Sequence, residues 1–229
     1  PTQISPQAPA AIQPPEFTPI EIGDAFAVHN RYEEAVAAYR KSPHMTAEIW
    51  NKMGMAYQLM YNYQQAAHCY KESLKLNSGD PRVLNNLATL YESRQEYDKA
   101  DRIYRQALKL DPNFALAYKN LGTNLIAEHK YDLGWNAYEQ ALALDPKIFV
   151  DGNNPTVDNP APAHERGAMN YYMALACVRA GQTDHALDYL RESLDEGFVD
   201  PRKVATDSQF ASLSGNSGFR KLIAEQSSQ

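Results

Sequence analysis

The sequence predicts an all-α solenoid built from antiparallel helix pairs, and three observations carry that prediction. Aromatic-rich blocks superimpose when slid by 34 residues, so that Trp50 falls on Leu84 and Tyr118, Tyr63 on Tyr97 and Tyr131, and Tyr70 on Tyr104 and Tyr138. A fixed period of that length marks a unit too small to bury its apolar face alone, which must stack on its neighbours. Within a block, Trp50, Met53, Gly54 and Tyr57 form an i, i+3, i+4, i+7 stripe, the spacing of one helix face. Asp80-Pro81, Asp111-Pro112 and Asp145-Pro146 punctuate the blocks, because proline cannot continue a helix but can open one.

Residues 1–16 hold five of the fourteen prolines with Gln, Ala and Ser and no apolar period, which reads as a disordered tail. Order is expected from Thr18-Pro19-Ile20-Glu21, where Thr18 can cap, Pro19 suits the first helical position and Glu21 can close a capping box. The array then runs over 17–198. A first pair at 17–46, about three residues short, sets Ile22, Gly23 and Phe26 against Ala35 and Tyr39. The pair at 47–80 sets its stripe against Ala66 and Tyr70. The pair at 81–114 sets Leu84, Leu87, Ala88 and Tyr91 against Ala100, Tyr104 and Ala107, and that at 115–148 sets Tyr118, Leu121, Gly122 and Leu125 against Gly134, Tyr138 and Ala141. Small residues recur where helix backbones must approach and large rings recur opposite them, so most of the fifteen tyrosines read as core. An aperiodic insertion at 149–166 precedes a fifth pair at 167–198, which keeps Met173, Ala174, Ala186 and Leu190 but loses the aromatics. Residues 199–229 read as capping helices, with Val204, Phe210, Leu213, Phe219 and Leu222 as their apolar contacts.

Composition narrows the function. The net charge is −6 with acids and bases interspersed, so the basic stripe that phosphate neutralisation needs is missing and nucleic acid is not expected as a partner. No apolar run approaches the roughly 18 residues that cross a bilayer, so membrane insertion is not expected. Cys69 and Cys177 lie about three repeats apart at apolar positions, so both are expected to be buried and unpaired. No His-Glu-x-x-His, Cys-x-x-Cys, Gly-x-Ser-x-Gly or phosphate loop occurs, and Asp151, Asn153, Asn154 and Asp158 fit no calcium loop. No enzyme activity, cofactor or metal is expected. The Pro/Ala/Gln-rich start slightly favours a periplasmic or secreted protein over a cytoplasmic one.

The order aromatic, Leu-Gly, Tyr, Ala, aromatic, Pro, met almost completely by residues 81–114 and strongly over 47–148, resembles the tetratricopeptide repeat family. The resemblance implies a right-handed superhelical solenoid of about five repeats plus a helical C-terminal cap. It also implies a concave groove lined by the first helix of each pair, serving as a protein-protein interaction scaffold for an extended peptide. Asn86 and Asn120 stand where the family often places an Asn that reaches a bound backbone, with Lys52 and Tyr172 at the matching places of the second and fifth pairs. Such an Asn can instead only solvate the surface or support its neighbouring helix. Helical spacing predicts that Asn51, Met55, Leu59, Arg82, Asn85, Thr89, Glu92, Lys119, Thr123 and Ile126 are exposed there. The candidate peptide-binding set is Asn51, Lys52, Met55, Arg82, Asn85, Asn86, Thr89, Lys119, Asn120, Thr123 and Tyr172. Leu116 and Asn120 occupy the places of the two basic residues with which some family members grip a C-terminal carboxylate, so a neutral or mixed segment fits better. On this reading Asn120→Ala leaves stability nearly unchanged. The alternative is a self-associating structural component of a cell-envelope assembly; homo-oligomerisation is allowed but not indicated.

Overall fold

The computed structural model describes residues 17–149 and 163–228. The Pro-rich segment 1–16 and residues 150–162 of the expected insertion lie outside the described residues. Ten helices form five consecutive hairpins: α1 (Pro19–Val28) with α2 (Tyr32–Tyr39), α3 (Ala47–Leu59) with α4 (Tyr63–Leu76), and α5 (Pro81–Ser93) with α6 (Tyr97–Leu110). They continue with α7 (Ala115–Ala127) and α8 (Tyr131–Leu144), then α9 (Ala163–Arg179) and α10 (Thr183–Asp195). Each hairpin packs on the next, and no strand occurs among the described residues. The chain is thus an all-helical solenoid closed at its C-terminal end by α11 (Pro201–Thr206), a 3-10 turn (Ser208–Leu213) and α12 (Ser217–Gln226).

Helix starts follow the chemistry of their first residues. The Glu21 amide donates to Thr18 Oγ1 at 3.3 Å while the Thr18 amide donates to Glu21 Oε2 at 2.7 Å, a reciprocal cap with Pro19 in the first turn. Asp80 caps α5 by accepting from the Arg82 amide at 2.9 Å. The second Asp-Pro pair behaves differently: Asp111 ends α6 and accepts from the Asn113 amide at 3.0 Å, so α7 begins only at Ala115.

All five hairpins turn in the same way. The amide after each turn donates five residues back, as Arg31 to Phe26, Asn62 to Tyr57, Glu96 to Tyr91, Lys130 to Leu125 and Gln182 to Cys177, at 2.8–2.9 Å. That bond requires a left-handed residue just before it. Asn30, Tyr61, Gln95 and His129 adopt φ of 58–60° there, and the fifth turn uses Gly181 at +72°. The repeat register therefore survives the insertion between the fourth and fifth hairpins.

One packing device closes the hairpins. A Cβ at Gly23 would lie 2.3 Å from the Tyr39 ring, one at Gly54 2.5 Å from Tyr70, and one at Gly122 2.4 Å from Tyr138. Ala88 and Tyr104 repeat the pairing in the third hairpin, both fully buried, and Ala174 with Leu190 does so in the fifth. Tyr39, Tyr70, Tyr104 and Tyr138 are core as expected, whereas Tyr63, Tyr97 and Tyr131, at the first position of their helices, are only half-buried.

Two further expectations are corrected. Ile22, expected on the packing stripe of the first hairpin, is exposed, because among the described residues no helix packs over that side of α1. Phe149 was placed at the start of an irregular insertion, yet Ile148 and Phe149 are buried. The Phe149 ring packs edge-on against Tyr138 at 5.1 Å, its carbonyl accepts from the Tyr189 hydroxyl at 2.6 Å, and the Ile148 carbonyl accepts from Lys119 Nζ at 3.3 Å. In the cap, Val204, Phe210, Leu213, Phe219 and Leu222 are all buried. Cys69 and Cys177 are buried and unpaired, and burial pushes each thiol up to about 11.

Gly54→Val should lower stability by at least about 2 kcal/mol, since the added atoms meet a ring with no free volume behind it. Ala100→Leu, at another fully buried position, should do likewise. Thermal unfolding checks both, and a midpoint unchanged in either variant contradicts the packing scheme.

Candidate functional site

The first helices of the hairpins lie side by side and form one layer, tied at the first three joints by a polar bond. Lys52 Nζ on α3 donates to both carboxylate oxygens of Asp24 on α1 at 2.8 Å. Asn86 Nδ2 on α5 donates to Asn51 Oδ1 on α3 at 3.1 Å, and Asn120 Nδ2 on α7 donates to Asn85 Oδ1 on α5 at 3.0 Å. Asn85 Nδ2 also reaches Asn86 Oδ1 at 3.5 Å, so four amides form a chain across three hairpins. At the fourth joint the pattern changes: Lys119 donates to the Ile148 carbonyl instead of to a side chain of α9.

This geometry reassigns several predicted residues. Asn120 is only 6% exposed and Asn85 2%, so neither is an open rung, and Ile126 is buried against Gly134 instead of lining the surface. Asn86 and Asn51 are half-buried at the groove end of the amide chain. Thr89 accepts from Gln58 Nε2 at 3.2 Å, and Thr123 lies 3.0 Å from the Tyr138 hydroxyl. Lys119 lies over the Phe149 ring, and desolvation holds its ammonium below the usual lysine range. Tyr172 stacks on Tyr131 at 5.5 Å and leans on Trp135 at 6.3 Å, while the Tyr171 hydroxyl donates to Asp207 at 3.0 Å. Both rings of that tyrosine pair thus join the fourth hairpin, the fifth and the cap.

The buried tyrosines send their hydroxyls to this same layer. Tyr39 donates to Asp24 at 2.7 Å, Tyr70 to Gln58 at 2.8 Å and Tyr104 to Glu92 Oε2 at 2.6 Å. Burial pushes the Glu92 carboxyl up to about 7, against the Tyr104 hydrogen bond that lowers it.

A cleft of about 1210 Å³ lies open between the first two hairpins, bounded by α1, α3 and the start of α5. Of the predicted set, Asn51, Lys52, Met55 and Arg82 line it; Asn85, Asn86, Thr89, Lys119, Asn120, Thr123 and Tyr172 do not. One end is apolar, with Ala27, Val28, Met55 and Leu59, and Val28 is 79% exposed. The other end is ionic, yet every charge there is already paired: Asp24 with Lys52, Glu48 with Lys52 at 3.6 Å and Asp80 with Arg82 at 2.9 Å. The α1 wall, with Asp24, Ala27 and Val28, is absent from the predicted set. Among the described residues no cluster of His, Cys, Asp and Glu could hold a metal ion, and no helix is long and apolar enough to cross a membrane.

Residues 45–113 match the tetratricopeptide repeat family. Among solved structures, the chain is similar to PilF of Pseudomonas aeruginosa, at 18% identity over 91% of this chain and 86% of that one with a TM-score of 0.59. It is also similar to a MamA protein, at 20% identity over 83% and 93% with a TM-score of 0.52, and to MamA of Desulfovibrio magneticus RS-1, at 17% identity over 77% and 91% with a TM-score of 0.52. At such identities these likenesses establish the shared fold. No curated protein sequence matches the chain.

Asn120→Ala, expected from the sequence to be neutral for stability, should instead cost about 1–2 kcal/mol, because it strips a buried acceptor on Asn85 of its donor. Urea unfolding checks this, and an unchanged midpoint contradicts the tie. Glu92 binds its proton more tightly folded than unfolded, so its contribution is intact below about pH 4.5 and is lost as pH rises through about 7. Glu92→Gln should therefore raise stability by about 1–2 kcal/mol at pH 8 and leave it unchanged at pH 4, read by thermal melts at both values.

Proposed function

We propose that this chain, whose residues 45–113 match the tetratricopeptide repeat family, is a non-catalytic scaffold that holds an extended segment of another protein in the cleft between its first two hairpins. The observation that supports this reading is the cleft itself, a preformed trough of about 1210 Å³ in which Asn51, Met55 and Leu59 face an apolar wall from α1. A rigid trough spares one side of the interface the cost of ordering, so modest contacts yield useful affinity. The Asn51 carboxamide can donate to a peptide carbonyl of a bound segment. Its acceptor is held by Asn86, which fixes the amide plane and leaves Nδ2 as the donor. Val28, Met55 and Leu59 supply apolar contact at one end. Nucleic acid is a poor fit, since both cations of the cleft are bound to its own carboxylates.

Self-association is the second reading, favoured by Phe17 and Val28, which are 68% and 79% exposed on the first hairpin while the opposite end carries a cap. Sedimentation at two concentrations separates the readings, because a scaffold for another protein stays monomeric at both.

Met55→Glu should weaken capture of the partner in pull-downs with purified protein by about 5–30-fold, equivalent to about 1–2 kcal/mol of lost apolar contact. The helical signal and melting midpoint serve as controls for folding. Capture unaffected by this change, with folding intact, contradicts the assignment of the cleft.

A further inference from the structure

We propose that the cleft between the first two hairpins is occupied, in the absence of a partner, by residues 2–15 of the same chain. The inference rests on reading the cleft as a peptide site and adds its resident occupant. Its first support is electrostatic. The five ionic groups that line the cleft satisfy one another, with Lys52 held at 2.8 Å from Asp24 and Arg82 at 2.9 Å from Asp80. A charged segment would have to break these pairs or enter without a counterion. An uncharged one leaves them in place.

Residues 2–15 have that chemistry. They contain no Asp, Glu, Lys, Arg or His, and they include Ile4, Ile12 and four prolines. Proline removes the backbone donor and keeps the carbonyl, so at its four prolines the segment offers acceptors alone. The cleft presents the complement, for Asn51 Nδ2 makes no hydrogen bond among the described residues, and Val28, Met55 and Leu59 offer apolar surface to Ile and Pro side chains.

Connectivity supplies the third support. The described chain begins at Phe17, immediately before α1, and the C-terminal end of that helix, Ala27 and Val28, forms the apolar wall. The ten residues of α1 span about 15 Å, whereas fourteen residues in an extended proline-type conformation reach about 43 Å. Doubling back along α1 is well within that length. The tether also raises the local concentration of the segment to the millimolar range, so a partner must compete with it.

The test uses the full chain carrying Ala8→Cys and a nitroxide label. Cys69 and Cys177 are buried with thiols raised to about 11, so the new thiol is the one that reacts. Paramagnetic broadening should be at least threefold greater for the methyl groups of Val28, Met55 and Leu59 than for those of Leu133 and Leu144 on the fourth hairpin. It should persist on tenfold dilution and fall to the background level in a Met55→Glu, Ala8→Cys double variant. Equal broadening of the two sets overturns the proposal, and broadening that fades on dilution overturns it in favour of a second copy. Partner capture that is lost in Met55→Glu without selective broadening would refute this inference while leaving the partner reading intact.

Discussion

The contact on which the structure depends is the one between a residue with almost no side chain on the first helix of a hairpin and a large buried ring on the second. Gly23, Gly54 and Gly122 each leave a space that Tyr39, Tyr70 and Tyr138 fill to within 2.3–2.5 Å of where a Cβ would stand. That closeness sets the distance between the two helices. It also carries the tyrosine hydroxyl through the hairpin to the polar layer beyond, where Asp24, Gln58, Glu92 or Thr123 meets it. Packing and groove chemistry are therefore parts of one arrangement. The fifth hairpin, with Ala174 and Leu190, retains the close approach and loses the hydroxyl.

Between hairpins the constraint is polar. A repeat array is stable only through its neighbour interfaces, and here each of the first three interfaces carries a tie in the layer of first helices. Lys52 to Asp24, Asn86 to Asn51 and Asn120 to Asn85 fix the stagger of consecutive hairpins. The same ties consume much of the hydrogen-bonding capacity that a bound segment would use. The proposed recognition site is the cleft beside the first hairpin, where α1 and α3 leave open space. At the other end Ile148 and Phe149 fill the joint and engage Lys119, so that part of the groove is closed by the chain itself.

The fold was legible in the sequence because its determinants are local and periodic. The 34-residue register, the cap at Thr18 and Glu21, the small residues opposite the rings, and the apolar positions of the C-terminal cap could all be read without coordinates. The site was legible only in part. Helical spacing tells which residues share a face, and the Asn51, Met55 and Arg82 that it put on the inner face line the cleft. It cannot tell which of them meet a residue of the next hairpin, so Asn85 and Asn120 were read as groove residues although they satisfy each other. Phe149 was unreadable for a different reason: it is buried by contacts with Tyr138 and Tyr189 on two different hairpins, and no local period announces that.

The account makes the start of the array the seat of recognition, and amide hydrogen exchange on the full chain with and without a captured partner tests that most directly. It predicts added protection confined to α1, α3 and the first turn of α5. Protection concentrated on α7 to α10, with α1 and α3 unchanged, would contradict it.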